Sequence, residues 1–139
     1  MSVKTFIDTN FLLYAHDSQA GEKQIVAQSI LEDLWLERSG ALSMQVLQEF
    51  YVNAVRKLAA PLPRPAARAI VHRYRRWCVA TGPEEIDFAL EIEDRAGISF
   101  WDALIVAAAH KAGAERILSE DLDSGQRIAG ILIENPFAV

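Results

Sequence analysis

The sequence predicts an α/β protein folded as a three-layer sandwich, in which helices flank a short parallel sheet on both faces. Segments with the spacing of amphipathic helices alternate with short apolar runs along the chain. This alternation is typical of a parallel sheet covered on both faces. The 139 residues, 51% of them hydrophobic, suit one domain with one core, and we expect residues 1–139 to form it.

The first third of the chain predicts one strand and two helices. The strand covers residues 3–7, an apolar run that stops at the polar stretch Asp8-Thr9-Asn10. A short helix at 10–16 and a longer one at 22–38 follow. The apolar residues of the longer helix expected to face inward are Ile25, Ile30, Leu31, Leu34 and Trp35.

The middle of the chain predicts a strand and two helices separated by prolines. The sequence GALS at 40–43 suits a short buried strand, and a helix is expected at 45–58. Three prolines within residues 61–65 should separate this helix from another at 64–80 rather than divide two domains. The apolar face of the helix at 45–58 comprises Val46, Leu47, Phe50, Tyr51, Ala54, Val55 and Leu58.

The last third predicts two helices and two strands. Helices are expected at 84–96 and 99–112, and the second is rich in alanine, which permits close packing on a sheet. The apolar runs at 116–119 and 130–133 suit short buried strands.

Composition and charge limit the classes of function. The net charge of −5 argues weakly against nucleic acid, yet residues 56–76 hold seven of the 14 basic residues and no acidic one. That asymmetry indicates either phosphate contacts or a solvated helix face. With no signal peptide and no apolar run near the ~20 residues that span a bilayer, we expect no membrane segment and a cytoplasmic protein. The lone Cys78 is expected to be a small buried hydrophobe.

Four acidic residues lie beside strongly apolar sequence. Asp8 and Asp121 each follow a predicted strand, Asp102 lies near the start of the alanine-rich helix, and Glu49 lies in the helix at 45–58. The carboxyl ends of parallel strands meet at one edge of a sheet, which is where α/β proteins place their sites. We therefore expect these acids to converge there.

Each acid also has a structural explanation. Asp8 could cap the next helix, Asp102 could form a capping box with Ser99, and Asp121 could hold a turn. Glu49 could simply be solvated. Its polar helix face also contains Gln45, Asn53 and Arg56.

A shared site for a divalent cation explains the four acids together. Carboxylates within ~4–6 Å of one another repel and raise each other's pKa, so they need a compensating cation. Oxygen ligands suit Mg²⁺ or Mn²⁺. A zinc site is not indicated, because Cys78 is the only cysteine and His16, His72 and His110 lack ligand spacing.

Several stretches of the sequence resemble one family. FIDTN, QEF, SFWDALI, ILSEDLDSGQ and IENPF are similar to motifs of the PIN-domain ribonucleases, and most of all to the VapC-like toxins of toxin–antitoxin pairs. The resemblance covers residues 3–137, although residues 59–85 carry little of it.

The resemblance implies a PIN-like sandwich with an acidic pocket that holds one or two Mg²⁺ or Mn²⁺ ions. Asp8 and Asp102 match the main metal ligands, and the other two acids match supporting ligands or water-positioning groups. Asn10 and Ser119 match polar residues that orient the acids. Asp123 is given no role. The matched acidic set is Asp8, Glu49, Asp102 and Asp121.

The resemblance further implies an endoribonuclease that leaves 5′-phosphate and 3′-hydroxyl products. Within the basic segment, Arg68, Arg75 and Arg76 are the expected RNA phosphate contacts. Trp77 and Trp101 could stack on bases, but core packing is the stronger expectation for both.

The expected partners are RNA, a cognate antitoxin and a second copy of the chain. The apolar faces of the helices within residues 22–58 are where we expect the antitoxin to bind. Two alternatives stay open: a catalytically silent PIN-like module for RNA binding or scaffolding, and another acidic-site phosphoryl-transfer enzyme. The second is weakened by Asn10, which stands where a phosphatase of that type needs an Asp.

Overall fold

A computed structural model of the chain describes residues 3–138; residues 1, 2 and 139 of the predicted domain lie outside the described part. The strands are β1 (Thr5–Ile7), β2 (Gly40–Ser43), β3 (Cys78–Val79), β4 (Arg116–Leu118), β5 (Arg127–Ile128) and β6 (Ile131–Glu134). The helices are α1 (Thr9–Ala15), α2 (Glu22–Glu37), α3 (Met44–Arg56), α4 (Arg64–Tyr74), α5 (Pro83–Ala96) and α6 (Phe100–Lys111).

The six strands form one sheet in the order β3-β2-β1-β4-β6-β5. Every neighbouring pair is parallel except β5 and β6, which are antiparallel. The register pairs Ile7 of β1 with Leu118 of β4, so these two strands end side by side. Asp8 and Ser119 are the next residues along the chain, so they begin the loops at the same edge of the sheet.

Helices cover the sheet, which confirms the predicted α/β sandwich. Helices α5 and α6 pack together, and α6 contacts β2 and β4, while α1 to α4 form a second connected group that reaches β2 through α2 and α3. The core includes the fully buried Phe6, Phe11 and Phe50. Alanines of α6 are buried too, which lets the helix lie close to the sheet, as the sequence predicts.

The helix predicted at 64–80 is wrong beyond Tyr74. There α4 gives way to a short 3₁₀ turn, Arg75–Trp77, and then to β3, which pairs with β2. The Trp77 ring packs over Gly40, where an added Cβ would lie 2.7 Å from its atoms. Trp77 also contacts Trp35, with ring centroids 4.6 Å apart. This tertiary packing ends the helix, although the local sequence favours its continuation.

Three further points differ from the sequence prediction. Strand β5 is absent from the sequence prediction because it has only two residues; it forms a hairpin with β6 through Ala129 and Gly130, which both have positive φ. Ile25 was expected to face inward but is 68% exposed, since the buried side of α2 consists of Ala27, Leu31 and Leu34. Cys78 is only partly buried.

Among the helices of residues 3–138, none combines the length and apolar character that a membrane crossing requires.

Candidate active site

A cavity of about 160 Å³ lies at the edge of the sheet where β1 and β4 end. All six residues that the sequence assigns to the acidic site line it, although they come from four separate stretches of the chain. They are Asp8, Asn10, Glu49, Asp102, Ser119 and Asp121. The predicted convergence of these acids is therefore present in the structure.

Asp8 is held between β1 and α1. Its backbone amide donates to the Leu118 carbonyl oxygen at 3.3 Å, which ties it to β4. Its side-chain Oδ1 accepts a hydrogen bond from the Phe11 amide at 3.0 Å, so Asp8 is the N-cap of α1. The Asp8 carboxylate therefore both caps α1 and lines the cavity, and Asp8 is only 7% exposed.

Asp102 enters the cavity from the first turn of α6. The N-cap is Ser99, whose hydroxyl oxygen accepts a hydrogen bond from the Asp102 amide at 3.1 Å. The cap uses the backbone of Asp102, and its half-buried carboxylate lines the cavity.

Asp121 is positioned by two polar neighbours that the sequence also singles out. Asn10 donates from Nδ2 to Asp121 Oδ2 at 2.9 Å. The Ser119 hydroxyl oxygen accepts from the amides of Asp121 and Leu122, at 3.2 and 3.4 Å. Ser119 and Asn10 contact the short loop that carries Asp121 from two sides. The Asp121 carboxylate is therefore directed at the cavity.

Glu120, which lies between Ser119 and Asp121 in this loop, is held by two other contacts. Tyr14 donates its hydroxyl to Glu120 Oε1 at 2.6 Å, and Lys23 reaches Glu120 Oε2 at 2.6 Å. These contacts lower the pKa of Glu120, the Lys23 hydrogen bond most of all. Tyr14 and Lys23 therefore anchor the loop that carries Asp121.

The wall opposite this loop is the polar face of α3. Gln45, Glu49 and Asn53 follow one another at four-residue intervals and all line the cavity. Glu49 Oε1 accepts a hydrogen bond from the Thr9 hydroxyl at 3.4 Å. The polar face of α3, for which the sequence also allowed simple solvation, is therefore one side of the acidic cavity.

The carboxylates of the cavity repel one another. The pKa of Asp8 is raised to about 6, first by burial and further by the charges of Asp121 and Asp102, while Ser119 and the Phe11 amide act in the opposite direction. The pKa of Asp121 is also raised, by its partial burial and then by the charges of Asp102 and Glu120. Among the residues lining the cavity within 3–138, there is no Lys or Arg to offset these charges.

The side chains that line the cavity within residues 3–138 offer oxygen donors, the ligand type that Mg²⁺ and Mn²⁺ prefer, and include no Cys or His, the usual ligands of zinc. Every candidate ligand is an oxygen atom, and the carboxylates lower one another's tendency to ionise in the absence of a cation. Within residues 3–138, no three His, Cys, Asp or Glu side chains approach closely enough to hold one ion between them. Mg²⁺ is commonly held by one or two carboxylates and keeps several waters, so a pair of these acids is sufficient for it.

The three arginines predicted to bind RNA lie outside the cavity. Arg68 donates from Nε to the Tyr51 hydroxyl at 3.2 Å. Arg75 lies near the start of α3. Arg76 lines a separate groove with Lys4, which precedes β1, and Gly40, which begins β2, at the opposite edge of the sheet. Their role stays a prediction.

The two tryptophans differ in the structure. Trp77 is buried, as expected, whereas Trp101 is 66% exposed and lines the acidic cavity, so the expected core packing of Trp101 is wrong. Asp123 lies outside the cavity. Sequence reasoning did not assign several other lining residues to the site: Thr9, Gln45, Asn53, Ile105 and Leu122. The four-residue spacing from Glu49 was a usable signal for Gln45 and Asn53.

Comparison with known proteins agrees with the geometry. The family model of the PIN domain matches residues 5–130. The chain belongs to the PIN-domain family. Among curated proteins, none matches it.

Solved structures share this PIN-domain fold. FitAcB from Neisseria gonorrhoeae is 17% identical, with a TM-score of 0.66 over 97% of this chain and 99% of that one. VapBC2 from Rickettsia felis, bound to a promoter DNA fragment, is 17% identical, with a TM-score of 0.62 over 94% and 97%. VapC20 from Mycobacterium tuberculosis, a sarcin–ricin loop cleaving toxin, is 20% identical, with a TM-score of 0.61 over 84% and 91%. At these identities the likeness concerns the fold.

Proposed function

We propose that this PIN-domain protein is a metal-dependent endoribonuclease that hydrolyses RNA phosphodiester bonds at a carboxylate-bound Mg²⁺ or Mn²⁺ site. One observation carries the proposal: acids from four separate stretches of the chain line one cavity that no Lys or Arg of the described residues 3–138 enters. A fold that gathers repelling carboxylates in this way suits a cation-dependent reaction on a phosphate.

The proposed role of each site residue follows from its position. Asp8 and Asp102 would hold the ion, because Asp8 is fixed by its backbone amide and its capping side chain and Asp102 by the first turn of α6. A bound divalent cation supplies an acidified water and a positive charge for the phosphate. Glu49 and Asp121 serve as supporting ligands or position water, and Asn10 and Ser119 orient Asp121. The products are a 5′-phosphate and a 3′-hydroxyl.

The biological setting that we propose is a toxin–antitoxin pair. The similar folds include VapBC2 and the toxin VapC20, which supports this assignment. The main apolar faces of α2 and α3, where the sequence placed the antitoxin, are buried in the core. The antitoxin would instead bind the apolar side chains that these helices still expose, including Ile25, Leu36 and Val52. A second copy of the chain is the other expected partner. A complex in which the antitoxin avoids both helices would contradict this placement.

The test is cleavage of end-labelled cellular RNA by the purified full chain. We expect cleavage with Mg²⁺ or Mn²⁺, loss of cleavage with a chelator, and recovery when the metal is restored. Asp102→Asn should lower the rate at least 100-fold, whereas Asp123→Asn, a matched change outside the cavity, should cut like the unmodified protein.

Two outcomes of this test would count against the proposal. Cleavage by Asp102→Asn at the rate of the unmodified protein would show that the Asp102 carboxylate takes no part in the reaction. Absence of cleavage with every RNA and both metals would favour a silent PIN-like module that binds RNA or acts as a scaffold.

A further inference from the structure

Trp101 is an exposed aromatic ring at the rim of the acidic cavity. It is 66% exposed, whereas tryptophan is on average highly buried in folded proteins. Its position is nevertheless defined, because Gln45 donates from Nε2 to the Trp101 carbonyl oxygen at 3.3 Å and the Phe100 ring lies edge-on at 5.5 Å. The backbone of Trp101 is therefore held beside Asp102, and its ring contacts Phe100 while most of its surface stays exposed.

The charges of the cavity limit how it can bind RNA. Four acids line it, and none of the lining residues among 3–138 is a Lys or Arg. Cationic side chains therefore cannot supply the attraction for the substrate at this point, in contrast to most nucleic-acid sites. Beyond the proposed metal ion, the contacts left are uncharged: aromatic stacking and hydrogen bonds from amides.

Both kinds of uncharged contact are present on one side of the cavity. Gln45 and Asn53 lie one turn before and one turn after Glu49 on α3, and both are half-buried in the cavity wall. An amide side chain can donate to a base or a phosphate without adding charge. Gln45 also donates to the backbone carbonyl of Trp101, and both residues line the cavity.

We propose that Trp101, Gln45 and Asn53 form a subsite for one unpaired nucleotide next to the scissile phosphate. The base stacks on the indole, and the two amides hydrogen-bond to the nucleotide. Stacking on the indole needs a base face that no neighbouring base covers, which an unpaired nucleotide provides. This inference rests on the proposed function, because it names the residues that would hold the substrate's nucleotide beside the same cavity.

The test measures binding separately from cleavage. The Asp102→Asn chain provides a background that does not cut, and the probe is a short unstructured RNA, compared with the same sequence in a duplex. Adding Trp101→Ala should weaken binding of the single strand by about 5- to 100-fold, the range found for a lost stacking contact. Trp101→Phe should keep most of the affinity, Trp101→Leu little of it, and the duplex should be affected least.

Leu90→Ala is the matched control, because Leu90 is another exposed apolar side chain, lies on α5 and is not among the residues that line the cavity. It should bind both probes unchanged. Indole fluorescence gives a second readout: the single strand should quench it, and that quenching should disappear in Trp101→Phe while the two other tryptophans remain.

The result that overturns the subsite is unchanged single-strand affinity in Trp101→Ala. Loss of dimer in that variant, with RNA binding intact, would assign the ring to a protein contact and would overturn it equally. These outcomes are distinct from failure of the nuclease proposal, which shows as absent cleavage by the unmodified chain, whatever the binding assay gives.

Discussion

Asp8 caps α1 and is also the most buried acid of the cavity, and its two roles have opposite effects on stability. The hydrogen bond to the Phe11 amide stabilises the helix start, while burial and the neighbouring Asp121 and Asp102 raise the pKa to about 6 from 3.8. Since a raised carboxyl pKa means that the folded protein binds the proton more tightly than the unfolded chain, stability falls as pH rises from about 4 to about 6.

Asp8→Asn should remove this pH effect while keeping the cap, because Asn does not titrate in this range and caps helices as well as Asp does. In chelator at pH 7.5, the variant should be more stable than the unmodified chain by up to about 3 kcal/mol, from 1.36 kcal/mol per unit of pKa shift. At pH 3.5 the two should be equally stable. Urea unfolding at both pH values measures the difference, and a variant that is less stable at pH 7.5 would contradict the account.

At the scale of elements, α3 shows how a helix can build both the core and the site. Val46, Leu47, Phe50 and Ala54 are buried on one side, and the amide and acid side chains of the other side form the cavity wall. Helical periodicity is enough to predict both faces. Periodicity does not show that the polar face of α3 lies across a cavity from other residues, since that depends on where β1 and β4 end.

Short elements are where sequence reasoning fails. β3 and β5 have two residues each, too few for an apolar pattern, and both depend on pairing with a neighbouring strand. The same limit applies to the tryptophans. Trp77 and Trp101 both stand in helix-like sequence, yet only the tertiary position places one against Gly40 and the other at the cavity rim.

The arginines of α4 and of the turn after it give a prediction at this scale. Replacing Arg68 or Arg75 with Gln should weaken single-stranded RNA binding alike for all sequences and reduce the salt slope by about 0.7 per lost contact. Arg76→Gln should have the smallest effect, because Arg76 lies near the opposite edge of the sheet. Binding across a salt series measures this, and a change in sequence preference rather than in slope would contradict it.

At the scale of the whole molecule, the sheet order brings distant residues together. β1 and β4 are neighbours although more than 100 residues separate them, as the pairing of Ile7 with Leu118 shows. The strand-end positions of Asp8 and Asp121 made their convergence predictable. The exact distances between the acids were not predictable, because side-chain packing and hydrogen bonds with Asn10 and Ser119 determine them.

The most direct test of the account is the location of manganese in a crystal of the full chain grown with excess Mn²⁺. Anomalous scattering identifies the ion without reference to activity. We expect a peak between Asp8 and Asp102 that is lost in Asp102→Asn. A manganese-soaked crystal with no peak in this cavity, or with its only peak elsewhere, would contradict the claim that these carboxylates share a divalent cation.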